Sequence, residues 1–111
     1  MGLILHHYTT EAGLAGILKT KTILPSLKAN NIKDARFGDG QYLSDVPPGS
    51  KRPGQLSSLF FRTPWAGRRF AYYVSIDTAG LNPVYGRTGV WVVLNTKPLD
   101  ISKRIVSHGK N

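Results

Sequence analysis

Apolar residues in this chain come in short runs, and turn-forming residues close them. Val90-Trp91-Val92-Val93-Leu94 is as long as any uninterrupted apolar run becomes. Pro25 follows Thr22-Ile23-Leu24, and Pro47-Pro48-Gly49 follows Gln41–Val46. Asn82-Pro83 and Tyr85-Gly86-Arg87-Thr88-Gly89 separate Phe70–Ile76 from Val90–Leu94. Short runs rich in β-branched and aromatic residues, bounded by Gly, Pro and Asn, predict β-strands. They are far too short to span a bilayer.

One stretch breaks this pattern. Leu14, Ile17 and Leu18 stand at i, i+3 and i+4, the spacing of one apolar helix face. Thr9 or Thr10 can cap that helix, and Glu11 in its first turn suits the helix dipole. Gly13 and Gly16 weaken it, by up to about 1 kcal/mol each relative to Ala, and their small size would let it lie close to a sheet. Leu3–Tyr8 reads as a strand with Leu3, Leu5 and His7 on one face and Ile4, His6 and Tyr8 on the other. Residues 28–41 read as an ordered loop, 49–56 as a flexible basic loop, Leu56–Phe61 as one or two helical turns, and Lys103–Ser107 as a last short strand. Strand–helix alternation stops after residue 46. The expected class is therefore α+β, a compact, mostly antiparallel β core with one main N-terminal helix, rather than a doubly wound sheet. A chain of 111 residues is expected to form one domain, 1–111.

The charge bears on partners rather than on fold. Fifteen Lys+Arg against six Asp+Glu give a net charge of +9. No acidic residue stands between Asp45 and Asp77, whereas Lys51, Arg52, Arg62, Arg68 and Arg69 do. Such a stretch attracts polyanions, whether nucleic acid, acidic proteins or phosphate-bearing cofactors. The absence of cysteine excludes a disulfide framework and a cysteine nucleophile. Three histidines without cysteine show no zinc-ligand spacing, so no metal is expected. The start carries no basic segment ahead of an apolar one, as a signal peptide would.

Two segments concentrate residues able to do chemistry. His6-His7-Tyr8-Thr9-Thr10 puts two imidazoles, a phenol and two hydroxyls at a strand-to-helix junction, where free N–H groups can meet a polar ligand. Phe37-Gly38-Asp39-Gly40-Gln41-Tyr42-Leu43-Ser44-Asp45 places two glycines ahead of a strand, allowing a tight turn and close approach of a ligand to the backbone. It lacks the third glycine of a dinucleotide fingerprint and the Gly-Lys-Ser/Thr of a phosphate loop.

As a pair, these segments resemble the ADP-ribosyltransferases, which carry a His-x-Ser/Thr motif on a first strand and a Gly-x-Gly-x-Tyr type motif on a later one. His7-Tyr8-Thr9 and Gly38–Tyr42 occupy those places, and the second run is similar to that of the poly(ADP-ribose) polymerases. Asp34–Tyr42, Gly89–Val93 and Pro98-Leu99-Asp100 resemble still more closely the small bacterial toxin ADP-ribosyltransferases with a His-Tyr-Asp signature, typically C-terminal domains of polymorphic toxins. The resemblance implies a split, mostly antiparallel β core and NAD as the substrate. His7 would hydrogen-bond the adenosine-side ribose, Tyr8 (through its backbone) and Thr9 would anchor the carboxamide and its ribose, and Tyr42 would stack on the nicotinamide. Arg36, beside the turn of Phe37, Gly38 and Gly40, would meet the pyrophosphate. A carboxylate would stabilise the oxocarbenium-like centre left when nicotinamide departs.

Where the better-known branch has a Glu before a late strand, this chain has Thr88-Gly89-Val90. The signature carboxylate is then one of the aspartates. Asp45 comes first because it is expected to share a strand with Tyr42. Asp77 comes second, with turn capping as its plain structural role. The catalytic set read from the sequence is His7, Tyr42 and Asp45. The resemblance further implies a macromolecular acceptor, a possible acidic neutralising (immunity) protein, no membrane, and delivery as an effector into a target-cell cytoplasm. Two other readings stand beside it: an NAD glycohydrolase that depletes NAD, and a basic nucleic-acid-binding or ribonuclease module using His7 and Tyr42.

Overall fold

The backbone hydrogen bonds of the short apolar runs are satisfied by pairing distant segments. The computed structural model describes residues 2–29, 36–61 and 64–111, with the side chains of 61 and 64–66 outside that description. Strand β1 (Ile4–Thr9) leads into helix α1 (Glu11–Thr20). Thr10 is the cap: its side chain accepts the Gly13 N–H at 2.9 Å. Leu14 and Ile17 turn inward, and Lys21 closes the helix in the left-handed region at φ 57°. A Cβ on Gly13 would strike the Thr9 hydroxyl, whereas one on Gly16 would meet nothing within 4 Å. Gly13 thus makes room for the capping threonines rather than for a sheet.

Strand β2 (Thr22–Ile23) and strand β3 (Gly40–Leu43) follow. Helix α2 (Pro53–Phe61) runs into a 3-10 helix at Pro64–Phe70. Then come β4 (Tyr72–Asp77), β5 (Val84–Arg87), β6 (Val90–Leu94), β7 (Leu99–Asp100) and β8 (Ile105–Lys110). The strands form sheets of order β1-β4-β8, β3-β6-β5 and β2-β7, and every pairing among the described residues is antiparallel. The fold is α+β and mostly β, as expected. No described helix is long and apolar enough to cross a membrane.

Several boundaries differ from those expected. Strand β3 stops at Leu43, because Ser44 pairs with His6 of β1 instead (N···O 2.8 Å in both directions). Asp45 therefore lies beyond the strand that holds Tyr42, which corrects the reason for choosing it. Helix α2 takes residues 53–56 from the expected loop. Pro53 suits a first helical position, where no N–H is needed. Strand β5 arises in a stretch read as turn, because β6 supplies its partner groups. Residues 30–35, including Asp34 and part of the expected 28–41 loop, lie outside the described residues.

The main core joins Leu5, Leu14, Ile17, Ile23, Leu43, Val74, Ile76, Val93 and Ile101. A smaller cluster of Tyr8, Leu56 and Phe70 gathers Val46, Phe60 and Tyr73 around it. The two three-stranded sheets meet at the single His6–Ser44 bridge, and the seam they leave there becomes a cleft.

Candidate functional site

The seam puts β1 beside β3, so the two sequence segments become neighbours. A cleft of about 130 Å³, partly open to solvent, lies along it. His6, His7 and Tyr8 line it from β1, and Tyr42 and Leu43 line it from β3. Phe60 of α2, Arg69 and Phe70 of the 3-10 helix, Arg87 of β5, Val90 of β6, Arg36 and Phe37 of the turn, and Ser26 and Ser44 complete its walls.

Besides the His6–Ser44 backbone pair, a side-chain hydrogen bond joins the two segments. His7 Nδ1 lies 2.9 Å from the Tyr42 carbonyl oxygen. A carbonyl can only accept, so Nδ1 carries the proton, and in the neutral ring Nε2 is left as an acceptor. Burial holds the imidazole below its ordinary pKa of 6.5, against the opposing pull of that carbonyl. Neutral His7 is thus ready to accept a hydrogen bond from a hydroxyl.

Tyr42 spends its hydroxyl on the turn. It accepts the Phe37 N–H at 2.7 Å and donates to the Gly38 carbonyl at 2.7 Å. What it can offer a ligand is its ring. Burial raises its phenol above the ordinary value. Gly38 adopts φ +119°, a region that L side chains rarely enter. At Gly40 a Cβ would run into the Val93 carbonyl of the paired strand. The two glycines thus build the turn that Tyr42 closes, and neither is among the cleft-lining residues. Phe37 packs over Gly86, where a Cβ would fall 2.8 Å from its ring.

The other expected residues fall in different places. Tyr8 lines the cleft, but its hydroxyl donates to the Val46 carbonyl at 2.7 Å, and burial pushes its phenol well up. Thr9 ends β1 opposite Tyr72 and does not line the cleft. Arg36 lines it and is exposed. Asp45 stands outside the lining, exposed, and accepts the Trp91 indole N–H at 3.1 Å. Its charge still reaches His6, whose pKa it raises against the larger lowering by burial. Asp77 accepts the Ala79 and Gly2 N–H groups, both at 2.9 Å, the turn-capping role foreseen for it.

Three groups in the walls had no place in the site set read from the sequence: His6, Arg69 and Arg87. His6 Nδ1 lies 2.7 Å from Ser75 Oγ. Arg87 donates through Nη2 to the Leu59 and Phe60 carbonyls at 2.6 and 2.9 Å, holding the end of α2. The only signal for Arg69 was the acid-free basic stretch. Arg87 gave none, because its position depends on β5 pairing with β6. No acidic side chain is among the described residues lining the cleft, and three arginines are. Among the described residues no group of three His, Cys, Asp or Glu side chains could hold a metal.

Residues 5–105 match a family model described as HYD1 signature containing ADP-ribosyltransferase. No curated protein and no solved structure matches the chain.

Proposed function

Since the chain belongs to the ADP-ribosyltransferases that contain the HYD1 signature, a family of toxin domains, we propose that its cleft binds NAD and that it transfers ADP-ribose from NAD to a macromolecular acceptor. The observation that carries this reading is the His7–Tyr42 hydrogen bond, which presents an imidazole acceptor and an aromatic face side by side. His7 Nε2 accepts a hydroxyl of the adenosine-side ribose. The Tyr42 ring stacks on the nicotinamide, whose positive charge favours a π-face. Tyr8, through its backbone, anchors the carboxamide and its ribose, whereas Thr9 lies outside the cleft lining. Arg36, Arg69 and Arg87 supply positive charge for the pyrophosphate.

In the reaction the bond between the ribose anomeric carbon and the nicotinamide nitrogen breaks, and its electron pair leaves with nicotinamide. An acceptor nucleophile then forms the new bond to that carbon. Asp45 is the carboxylate whose charge reaches the cleft-lining His6, and in this reading it favours the positive charge that develops on the sugar. The delivery of the domain into a target cell, and an acidic protein that neutralises its +9 surface, belong to the same proposal.

The test is NAD consumption by the purified chain, resolved by chromatography, with and without cell lysate. ADP-ribose label on a lysate macromolecule is the expected result. Free ADP-ribose alone would make the chain a glycohydrolase. The absence of both NAD loss and NAD binding would overturn the reading. Losing a base–aromatic stack costs about 1–3 kcal/mol. Tyr42→Ala should therefore lower NAD turnover by about tenfold to a hundredfold, and unchanged turnover would remove Tyr42 from the site.

A further inference from the structure

The mechanism above leaves one cleft-lining imidazole unused. His6 and His7 are neighbours on β1, yet both line the cleft, because β1 borders the seam. His7 is committed to Tyr42. His6 is held by a different set of partners.

We infer that His6 is the general base of the transfer, taking the proton from the attacking O–H. This rests on the reading of the cleft as an NAD site.

Four observations support it. The backbone of His6 is fixed by two 2.8 Å bonds to Ser44. Its Nδ1 lies 2.7 Å from Ser75 Oγ, and in the tautomer in which Nδ1 donates to that oxygen, Nε2 is the ring nitrogen that can take a proton from a bound molecule. Ser75 is 2% exposed, so this hydroxyl serves as a fixed partner of the ring and is closed to an acceptor. The Asp45 carboxylate, oriented by Trp91 Nε1 at 3.1 Å, acts on His6. A base oriented by one partner and supported by a carboxylate is the arrangement that general-base catalysis uses.

Among the described residues, other charged and titratable groups line the same cleft. On β1 they are His7 and Tyr8, whose ring centroid is 6.5 Å away. Tyr42 stands on β3, and Arg36, Arg69 and Arg87 stand in the other walls. Burial, the larger effect, disfavours an imidazolium, while the Asp45 charge favours it. With burial included, the balance leaves His6 neutral at pH 7, below its ordinary 6.5.

The step balances. As nicotinamide leaves with the C–N electron pair, the attacking oxygen bonds to the anomeric carbon and its proton passes to His6 Nε2. The imidazolium then returns the proton to solvent. A neutral imidazole of this kind is too weak a base for a guanidinium or ammonium acceptor. It suits a hydroxyl or water, whose O–H acidifies as the bond forms.

The experiment measures nicotinamide release at saturating NAD, with and without lysate, over about two pH units either side of 6.5. The wild-type rate should fall on the acid side as His6 is protonated. In Asp45→Asn that acid limb should move to lower pH, because the group that raises the His6 pKa is gone. A lower plateau alone would report only charge stabilisation at the sugar. His6→Ala should lower the plateau about 10²- to 10⁴-fold, lose the limb, still bind NAD by calorimetry, and recover in part with free imidazole. Full activity in His6→Ala would overturn the assignment. So would an acid limb that stays in place in Asp45→Asn, a readout that holds if His6→Ala fails to fold. If the wild type releases no nicotinamide under either condition, the NAD reading itself fails.

Discussion

At the scale of single residues, polar side chains in this molecule are spent on holding backbone. Gln41 shows it best. It is fully buried, and its Nε2 donates to the carbonyls of Ile23 and Lys97 at 3.0 and 2.8 Å while Asn95 Nδ2 donates to its Oε1 at 3.3 Å. One side chain thus ties β2, β3 and the loop before β7 together. Gln41→Ala takes a donor from the Ile23 and Lys97 carbonyls, the second of which keeps Asn95 Nδ2, and should cost about 1–3 kcal/mol, read from denaturant melts. Gln41→Glu should cost more, because a carboxylate cannot donate to either carbonyl and would be buried charged. In the sequence Gln41 is one polar residue in a strand, and nothing local marks it as internal. The paired strand and the loop over it bury it. The residues lining the cleft divide the same way. His7, Tyr42 and Arg36 were legible because they stand in or beside recognisable motifs. His6 looked like a second strand histidine until Ser75, 69 positions away, was found against it.

At the scale of elements, α1 was legible from its apolar spacing and its cap, and its glycines now separate by cause. Gly16→Ala adds a methyl group where nothing lies within 4 Å, and should stabilise by up to about 1 kcal/mol. Gly13→Ala should gain less or lose, because the Thr9 hydroxyl must move. Thermal melts of the two variants, side by side, test the distinction. Lys21 holds the left-handed position that ends α1, where glycine carries no Cβ penalty. Lys21→Gly should therefore raise the melting temperature. Strand β5 shows the limit of local reading. Val84 and Tyr85 are exposed and Gly86 sits under Phe37, so the segment has no inward alternation to recognise. It is a strand because Val90–Leu94 offers free N–H and C=O groups beside it, across a two-residue turn that needs Gly89 at φ +79°.

For the whole molecule, the seam between the sheets couples stability to protonation. His6 and His7 both stand at the seam, and burial lowers both below the ordinary 6.5. The folded state then binds fewer protons than the unfolded state as pH falls through that value, so stability rises with pH in this window. The contribution is complete above pH 6.5 and is lost as pH drops through the lowered folded values. Asp77, held below its ordinary 3.8 by the Ala79 and Gly2 N–H groups, and Asp100, held below it by Ser102, lose their contributions only at lower pH. Melting temperatures against pH should therefore fall first below about 6.5 and again below the carboxylate range. Replacing His6 and His7 together by glutamine should flatten the first fall and leave the second. A first fall that survives the double replacement would place the acid sensitivity elsewhere.

The sequence by itself determined the class of fold, the capped first helix, the strands over Leu3–Tyr8, Phe70–Ile76 and Val90–Leu94, and the two motifs that carry the family resemblance. These are written in spacings of 2 and 3.6 residues and in turn-forming residues, which act over a few positions. Only the tertiary structure decided where β1 parts from β3, that Asp45 lies past its strand, that Arg69 and Arg87 reach the cleft walls, and that His6 is gripped by Ser75. Each of these rests on groups that are distant in the chain and close in space. A short β-rich chain closes its hydrogen bonds through long-range pairing, so much of the cleft is assembled from positions whose local sequence carries no trace of it.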